Sequence, residues 1–528
     1  MSQPAVQERL PAGAGPQRRG VGNPWLTLVA VALGVIMVTL DGTVVAIANP
    51  AISKDLGASL ADLQWVTNGY LLALAVSLIT AGKLGDRFGH KPVFLIGVAG
   101  FALSSAGIGF SKTIGMVIAL RVLQGLFGAM LQPTALGLLR AAFPAERLNM
   151  AIGLWGACIA ASTASGPIVG GLLVQHVNWE SVFFINVPVG VVALIVGGLF
   201  LLNARGEAKS GGFDITGILL LSGMLFALIW AVIKAPTYGW TDLKTLAFFG
   251  AAVVLLVLFV VREHLAREPL LPLTLFRSVS LSVGVVLMTL MAFAMFGAMF
   301  FLTFYLQSVH GLTPVSTGVR LLPMMLAMML ASPIAGGVIS KVGPRAPLVA
   351  GMVFTAVAFI GMSRLGVDAS FMAMAPWFAL IGVGLSPVMV AATDIIVGNA
   401  PVALSGVAGG LQQVAMQVGG ALGTSVLGAV LTAKVAGVLP GHMKDAGLPA
   451  PTPAQVDLMK GAISQGVAPV PKNTQPQIAE LIVKASHLSF IDGMHLAFIV
   501  SAVMAFVAAL LSLLVRAGRK VEGAAMHI

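Results

Sequence analysis

The chain has 528 residues, of which 58% are hydrophobic and 9% charged, well under half the roughly 25% charged residues of a soluble domain. With a mean hydropathy of +0.98 and 62 glycines, this composition points to an all-α polytopic membrane protein. It excludes a disulfide scaffold, because Cys158 is the single cysteine, and the +11 charge does not mark a nucleic-acid binder, because the basic residues fall in short clusters between apolar runs.

Residues 1–24 are polar and loose, and are expected to form a cytoplasmic tail without fixed structure. The apolar stretch after Trp25 is longer than the roughly 7–15 residues of a signal-peptide core, so no cleaved leader is expected. Spans of about 20 apolar residues are predicted near 25–51, 63–81, 92–110, 114–136, 150–174, 183–203, 215–234, 245–261, 280–306, 317–340, 346–363, 372–397, 405–433 and 491–515, fourteen in all. Such runs are too long for the strands of a transmembrane barrel, which take about 10 residues each. An even number puts both termini on one side. The positive-inside rule puts that side in the cytoplasm, where 18 of the 30 Lys and Arg then fall, against six in short outer loops and span ends. The 434–490 segment becomes the one large extracytoplasmic loop, read as a solvated linker with weak helical stretches around 454–464 and 475–487.

Of the 19 acids, only Asp41 and Asp394 fall clearly inside predicted spans. An acid at the centre of a span costs about 2.5–3.5 kcal/mol on insertion scales, so it normally faces a cavity or a partner. Asp41 lies ten residues from the outer end of span one, roughly 15 Å deep at the helical rise. Arg121, inside span four, lies roughly 11–12 Å deep by the same measure, so the two are placed to pair. Burial favours a protonated acid and a neighbouring cation favours the carboxylate. A group under both influences can change protonation as access changes, which proton coupling requires; a structural ion pair is the plain alternative. Asp394, close to the cytoplasmic end of span twelve, reads as a helix-end charge.

Between spans two and three runs Gly82-Lys83-Leu84-Gly85-Asp86-Arg87-Phe88-Gly89-His90-Lys91-Pro92. Its glycines permit a tight reversal, Pro92 suits the first turn of the next helix, and Asp86 is placed for a helix N-terminus and nearby guanidinium groups to hold it. Span five carries Gly166, Gly170 and Gly171 with Ala161 and Ala164, a small face that permits close helix approach, and Pro167 bends it. Together they predict a tightly packed, flexible seam between two halves. Met288, Met291, Met295 and Met299 recur at helical spacing in span nine, and Met324, Met325, Met328 and Met329 cluster in span ten. Thioethers suit a promiscuous apolar pocket, with ordinary core or lipid-facing packing as the alternative. The eight histidines show no metal-ligand spacing and no G-x-x-x-x-G-K-[ST] loop is present. No metal, cofactor or ATP-driven step is therefore expected, and a proton gradient is the natural energy source.

These motifs together resemble the major facilitator superfamily. Gly82 to Lys91 is similar to its signature loop, with Gly85 and His90 departing from the common Ala and Arg. A degenerate second copy, Gly336 to Arg345, closes span ten with Ser340 where the acid would be, as an internally duplicated transporter predicts. Leu40-Asp41-Gly42-Thr43-Val44-Val45, followed by Asn49-Pro50, resembles the L-D-x-T-[IV]-V motif of the fourteen-helix drug:proton antiporters of EmrB/QacA type. Arg121-Val122-Leu123-Gln124-Gly125 and Ser165-Gly166-Pro167-Ile168-Val169-Gly170-Gly171 resemble the R-x-x-Q-G and G-P-x-x-G-G motifs, the second of which marks antiporters. Supporting matches are Trp65-Val66 to Tyr70, Phe183 to Pro188, Tyr305-Leu306-Gln307 and Val418 to Ala421. Ala46 departs from the Asn usual at its position.

The resemblance, from 25 to 515, implies two six-helix bundles, 25–203 and 278–516, with two extra transmembrane helices in the linker 204–277 and a cytoplasmic tail at 517–528. It implies export of small amphipathic drugs by proton antiport and alternating access, in a bacterial inner membrane, by a monomer that is not an enzyme. Asp41 would carry the proton and Arg121 tune it. Gly82, Asp86, Arg87, Gly89 and Lys91 would form a conformational latch, and Gly166, Pro167, Gly170 and Gly171 a hinge. Trp65, Tyr70, Gln124, Met295, Gln307, Gln413 and Gln417 would line the substrate cavity. Family members that export cationic dyes often carry carboxylates where span thirteen here has Gln412, Gln413 and Gln417, which leans the substrate towards neutral or weakly charged compounds. The rival readings are a dedicated exporter of one metabolite, siderophore, lipid or amino acid, and a proton symporter. A membrane enzyme would need a nucleophile or metal constellation at the interface, and a sensor a soluble output domain.

Overall fold

The computed structural model describes residues 23–202, 214–266, 269–400, 405–471 and 474–515. Nearly all of the tail expected at 1–24, the whole of that at 517–528 and the linker stretch 203–213 lie outside the described residues.

Among the described residues fourteen helices are long and apolar enough to cross a membrane. Spans one to six are Pro24–Leu56, Leu60–Phe88, His90–Gly109, Ile114–Ala142, Met150–His176 and Ser181–Phe200. Spans seven and eight are Ile215–Tyr238 and Leu243–Leu265. Spans nine to fourteen are Val279–Val309, Pro314–Val342, Arg345–Met362, Phe371–Gly398, Val407–Asp445 and Pro476–Ser512.

Local chemistry sets the span ends. Asn23 caps span one ahead of Pro24 at its first position, a reciprocal Ser59–Asp62 capping box starts span two, and Thr313 caps span ten ahead of Pro314. Spans two and ten both end at glycines with positive φ, Gly89 at 99° and Gly343 at 81°; a side chain would strain both turns. Span four breaks between Gly128 and Leu131, where Pro133 has no N–H to offer the carbonyl of Ala129.

The neighbour pattern is duplicated. Span one packs on five and six, two on four, and three on four and six. Nine likewise packs on thirteen and fourteen, ten on twelve, and eleven on twelve and fourteen. The two most extensive contacts between the halves, span two with thirteen and span five with ten, are equivalent under the same duplication, and span one adds smaller contacts to nine and ten. Spans seven and eight pair with each other, and seven lies against two and thirteen.

The loop expected at 434–490 is shorter and less solvated than its composition suggests. Span thirteen runs on to Asp445, span fourteen starts at Pro476, and a helix Pro453–Ile463 lies between them. Ile463, Ser464 and Gln465 are buried. Ser53 Oγ donates to Gln465 Oε1 at 2.5 Å, and Gln465 Nε2 donates to the Ala58 carbonyl at 3.4 Å. Gly466 packs on Ser308 and Val309 of span nine, so this segment touches both halves. Its apolar residues (Val456, Ile463) and its one buried glutamine supply what the Pro/Gly/Ala-rich flanks lack.

We call this side of the molecule the loop face and the opposite side, where Asp86 lies, the turn face. Spans five and ten meet closely in their loop-face halves. A Cβ on Gly171 would lie 2.6 Å from the Pro314 carbonyl oxygen, one on Gly318 2.4 Å from that of Pro167, and Val315 N donates to Gln175 Oε1 at 3.2 Å. Towards the turn face, Gly153 and Gly156 of span five and Gly336 and Gly337 of span ten have no such neighbour within 4 Å. Gly171→Val therefore overpacks the seam, a change that costs about 1–3 kcal/mol. It should lower the melting temperature of the purified protein by several degrees, while Gly156→Val should leave it within error of wild type.

Candidate functional site

Asp41 sits in mid-span one with its side chain wholly buried. Arg121 and Gln124 lie three residues apart on one face of span four, and both reach it. Arg121 Nη1 donates to Asp41 Oδ2, and Gln124 Nε2 donates to Oδ1 at 3.0 Å. Asn186, the first residue of the second helical segment of span six, adds a longer contact to Oδ1 at 3.4 Å. Ser105 Oγ of span three accepts from Gln124 at 2.6 Å and from Asn186 at 3.3 Å. Arg121 also donates to Gln124 Oε1 at 2.6 Å and, through Nε, to the Val66 carbonyl at 3.1 Å. Its guanidinium carbon lies 4.1 Å from the centre of the Tyr70 ring, a cation–π contact, and Tyr70 OH donates to the Val38 carbonyl at 3.3 Å. The two charges thus neutralise each other inside a hydrogen-bonded network drawn from five of the six spans of the first half.

The Arg121 guanidinium stands between this network and a central cavity. Gly42, Val45, Ala46, Tyr70 and Arg121 line one side, and Met295, Met299, Met324, Met325 and Met328 with Phe296 and Phe300 line the other. The space totals about 770 Å³ including its mouth, of which about 50 Å³ admits the centre of a water molecule. At roughly 10–15 Å³ of such volume per water, this holds a handful of waters and no drug-sized compound, so substrate entry requires the halves to move apart.

Among the residues expected to line the cavity, the structure places Tyr70 and Met295 on its wall. The other five lie elsewhere. Gln124 is buried in the carboxylate network, because Asp41 and Ser105 offer an acceptor each. Trp65 packs on Phe226 of span seven with ring centres 5.4 Å apart, a partner that the inserted spans supply. Gln307 donates to the Ile47 carbonyl at 3.0 Å, tying the halves at the loop face. Gln413 donates to Gln132 Oε1 at 2.8 Å and Gln417 is buried on the same helix. Met288 and Met291 are core residues and Met329 is exposed.

The segment expected to be a glycine-rich turn is mostly helix. Span two continues to Phe88, so Gly82, Gly85 and Asp86 are helical and Gly89 alone makes the reversal. Gly85 and Gly137 flank the His90 ring, which a Cβ on either would meet at 2.5–2.6 Å. Asp86 therefore belongs to the last turn of span two rather than the start of span three. Its exposed carboxylate lies 3.5 Å from His90 Nε2. Arg87 lies 5.5 Å from the Phe88 ring centre, and Lys91 Nζ donates to the Gly198 carbonyl at 2.8 Å, within its own half. In span five, a Cβ on Gly166 would collide with Thr43 Oγ1 at 1.9 Å and one on Gly170 would come within 3.2 Å of Val44. Gly166 and Gly170 thus close span five onto span one, and Gly171 with Pro167 meets the other half. Asp394 is exposed near the end of span twelve.

Sequence reading passed over Ser105, whose residue type is common in spans and carries no signal, and assigned Asn186 no role although it interrupts an apolar run. It also left unremarked a second charged cluster at the turn face. Buried Asp214 pairs with Arg262 at 3.0 Å, and buried Glu263 accepts from Leu271 N at 2.8 Å. These acids sit at span ends and so looked like loop charges.

Removing one member of a buried pair costs about 3–5 kcal/mol, while replacing both with apolar groups is often neutral. Arg121→Met alone should therefore destabilise the protein strongly, and Asp41→Leu with Arg121→Met should recover its melting temperature without recovering transport. Thermal unfolding in detergent and whole-cell efflux read the two effects separately.

Comparison with known proteins now adds to this geometry. Residues 31–424 match the profile of the Major Facilitator Superfamily. The chain is 56% identical over 504 residues, 95% of it and 94% of the relative, to the tetracenomycin C resistance and export protein of Streptomyces glaucescens. It is 33% identical to the multidrug efflux pump LfrA of Mycolicibacterium smegmatis, over 78% of this chain and 81% of that one. In fold it is similar to a bacterial homologue of the human lysosomal transporter Spinster, with a TM-score of 0.62 at 16% identity, covering 96% of this chain and 100% of that one. The fourteen apolar helices, the duplicated neighbour pattern and the profile match together show that this chain is a multi-pass member of the Major Facilitator Superfamily.

Proposed function

We propose that the protein exports small neutral or weakly charged amphipathic drugs in exchange for protons. The observation that carries this reading is the position of Arg121, bonded to Asp41 on one side and lining the central cavity on the other. With Asp41 ionised the two charges cancel, and the methionine- and phenylalanine-rich cavity suits an apolar guest. When Asp41 takes a proton, Arg121 becomes an uncompensated cation at the cavity wall, which draws in water and disfavours an apolar or cationic guest. Proton and substrate then exclude one another, the condition for antiport, because each binds better to a state that the other leaves.

Orientation follows from the basic clusters: both termini and the turn face lie in the cytoplasm and the loop face outside, in the cytoplasmic membrane of a bacterium. Closure at the loop face, with spans five and ten free of each other's glycines towards the turn face, fits the half of the cycle that loads from the cytoplasm. In the other half Asp86, Arg87 and Lys91 latch the turn face, and the Gly166-Pro167-Ile168-Val169-Gly170-Gly171 segment is the seam that yields. The proton gradient is the energy source, no cofactor takes part, and a single chain suffices.

Relatives named for resistance and export of antibiotics support drug efflux. The high identity to a protein named for one compound favours a second reading, a dedicated exporter of one metabolite.

A resistance panel in an efflux-deficient host separates these, using tetracenomycin C, the neutral drug chloramphenicol and the dication dequalinium. Protection against several neutral compounds but not the dication is the expected result; protection against one alone supports the dedicated exporter. Asp41→Asn should abolish protection at unchanged membrane abundance, measured by immunoblot of membrane fractions. Protection equal to wild type in that variant would refute the coupling role.

A further inference from the structure

Asn49 of span one takes no part in the Asp41 network. Asn49 is wholly buried, and among the described residues neither its Nδ2 nor its Oδ1 has a hydrogen-bond partner. Its neighbours in the helix, Ile47, Ala48 and Ile52, are all buried and apolar. A dry, unbonded amide in such a place is far costlier than a leucine, and buried polar groups are as a rule bonded to protein or to ordered water.

Its position narrows the role. Gly42, Val45 and Ala46 line the central cavity, and Asn49 follows them at i+7, i+4 and i+3, the spacings that share one helix face. It therefore extends the cavity stripe by one turn towards the loop face. It lies eight residues beyond Asp41, about 12 Å along the helix. The next residue, Pro50, lies inside the helix and has no N–H, so the Ala46 carbonyl one turn back lacks its usual donor. The amide of Asn49 and this carbonyl thus provide three polar atoms along one stripe. A buried water needs two to four such partners. Ala46 itself occupies the position where the resemblance led us to expect an asparagine, and the amide stands one turn further out.

Building on the antiport reading, we propose that Asn49 and the Ala46 carbonyl hold water at the loop-face end of the cavity, and that protons entering from that face reach Asp41 through it. Asn49 is a positioning residue in this scheme. It bonds the water and takes up no proton itself, and the surrounding valines and isoleucines keep the route shut until the halves part.

The test uses the full-length protein in proteoliposomes and compares two rates for the neutral compound that wild type exports in the panel. One is accumulation driven by an imposed pH gradient, with pyranine reporting lumen pH; the other is exchange of labelled for unlabelled compound at equal pH, which needs no net proton movement. Asn49→Leu should lower the driven rate at least tenfold and leave exchange within twofold of wild type. Asn49→Ser, which restores a hydroxyl, should recover a substantial part of the driven rate. A driven rate within twofold of wild type in Asn49→Leu overturns the proposal. So does a parallel loss of both rates, which marks a merely structural asparagine. Asp41→Asn, run alongside, should lose driven transport; if it does not, the antiport reading fails and this proposal with it, whereas loss in Asp41→Asn beside normal transport in Asn49→Leu overturns the role of Asn49 alone.

Discussion

Hydrocarbon offers no hydrogen-bond partners, so a carboxylate placed in it has to be answered by protein. Here the answer to Asp41 is Arg121, and holding the two together organises the first half of the molecule. Two ions out of water each lose several kcal/mol of solvation, and only close geometry with every lone pair occupied recovers it. Gln124 and Asn186 donate to the second carboxylate oxygen from two further spans, and Ser105 of a third accepts from both and holds them in place. The surrounding helices can come near enough to seal the pair because glycine stands at the contacts. Gly166 and Gly170 let span five lie against span one, and Gly125 lets span four lie against the backbone of span two at Tyr70.

The duplication is one of backbone and not of chemistry. Gly89 and Gly343 end spans two and ten with the same left-handed turn, yet Asp86 is matched by Ser340. The first half carries the buried ion pair, while the face that the second half turns to the cavity is mostly methionine and phenylalanine. In the proposed exchange, the wall bearing Arg121 is the one whose charge follows the proton on Asp41, and the wall of adaptable thioethers is the one that meets an apolar guest. On that proposal, this asymmetry is what couples two unlike ligands in a symmetric scaffold.

The loop face shows how such a scaffold is held in one state. The segment 463–467 lies where composition alone predicts a solvated linker, but it bonds to Ser53 and Ala58 of one half and packs on span nine of the other. Gln307 adds a bond to the Ile47 carbonyl from a short π-helical turn, Tyr305–Val309, at the end of span nine. Such turns interrupt the regular hydrogen-bond ladder and recur at functional sites. Parting the halves at the loop face has to break the Gln307 bond and one of the two sets of contacts that the segment makes.

How much of this was legible beforehand depended on the range of the physics involved. Span number, helix caps and the conspicuous positions of Asp41 and Arg121 follow from local rules: apolar run length, capping residues and the cost of charge in lipid act within a helix or two, and one strand of sequence carries them. The partners of polar side chains do not follow. Gln124, Gln307 and Gln413 have the same amide, and whether it meets a carboxylate, a backbone carbonyl or another glutamine is decided by helices dozens to hundreds of residues away. Trp65 is turned to span seven for the same reason. Sequence alone therefore determined the membrane class, the number of crossings and the two residues of the ion pair. Tertiary structure alone decided which side chains complete the pair, which face the cavity and that both polar atoms of the Asn49 amide are buried without a partner among the described residues, because hydrogen bonds and packing are settled by proximity in space, and no period along the chain records it.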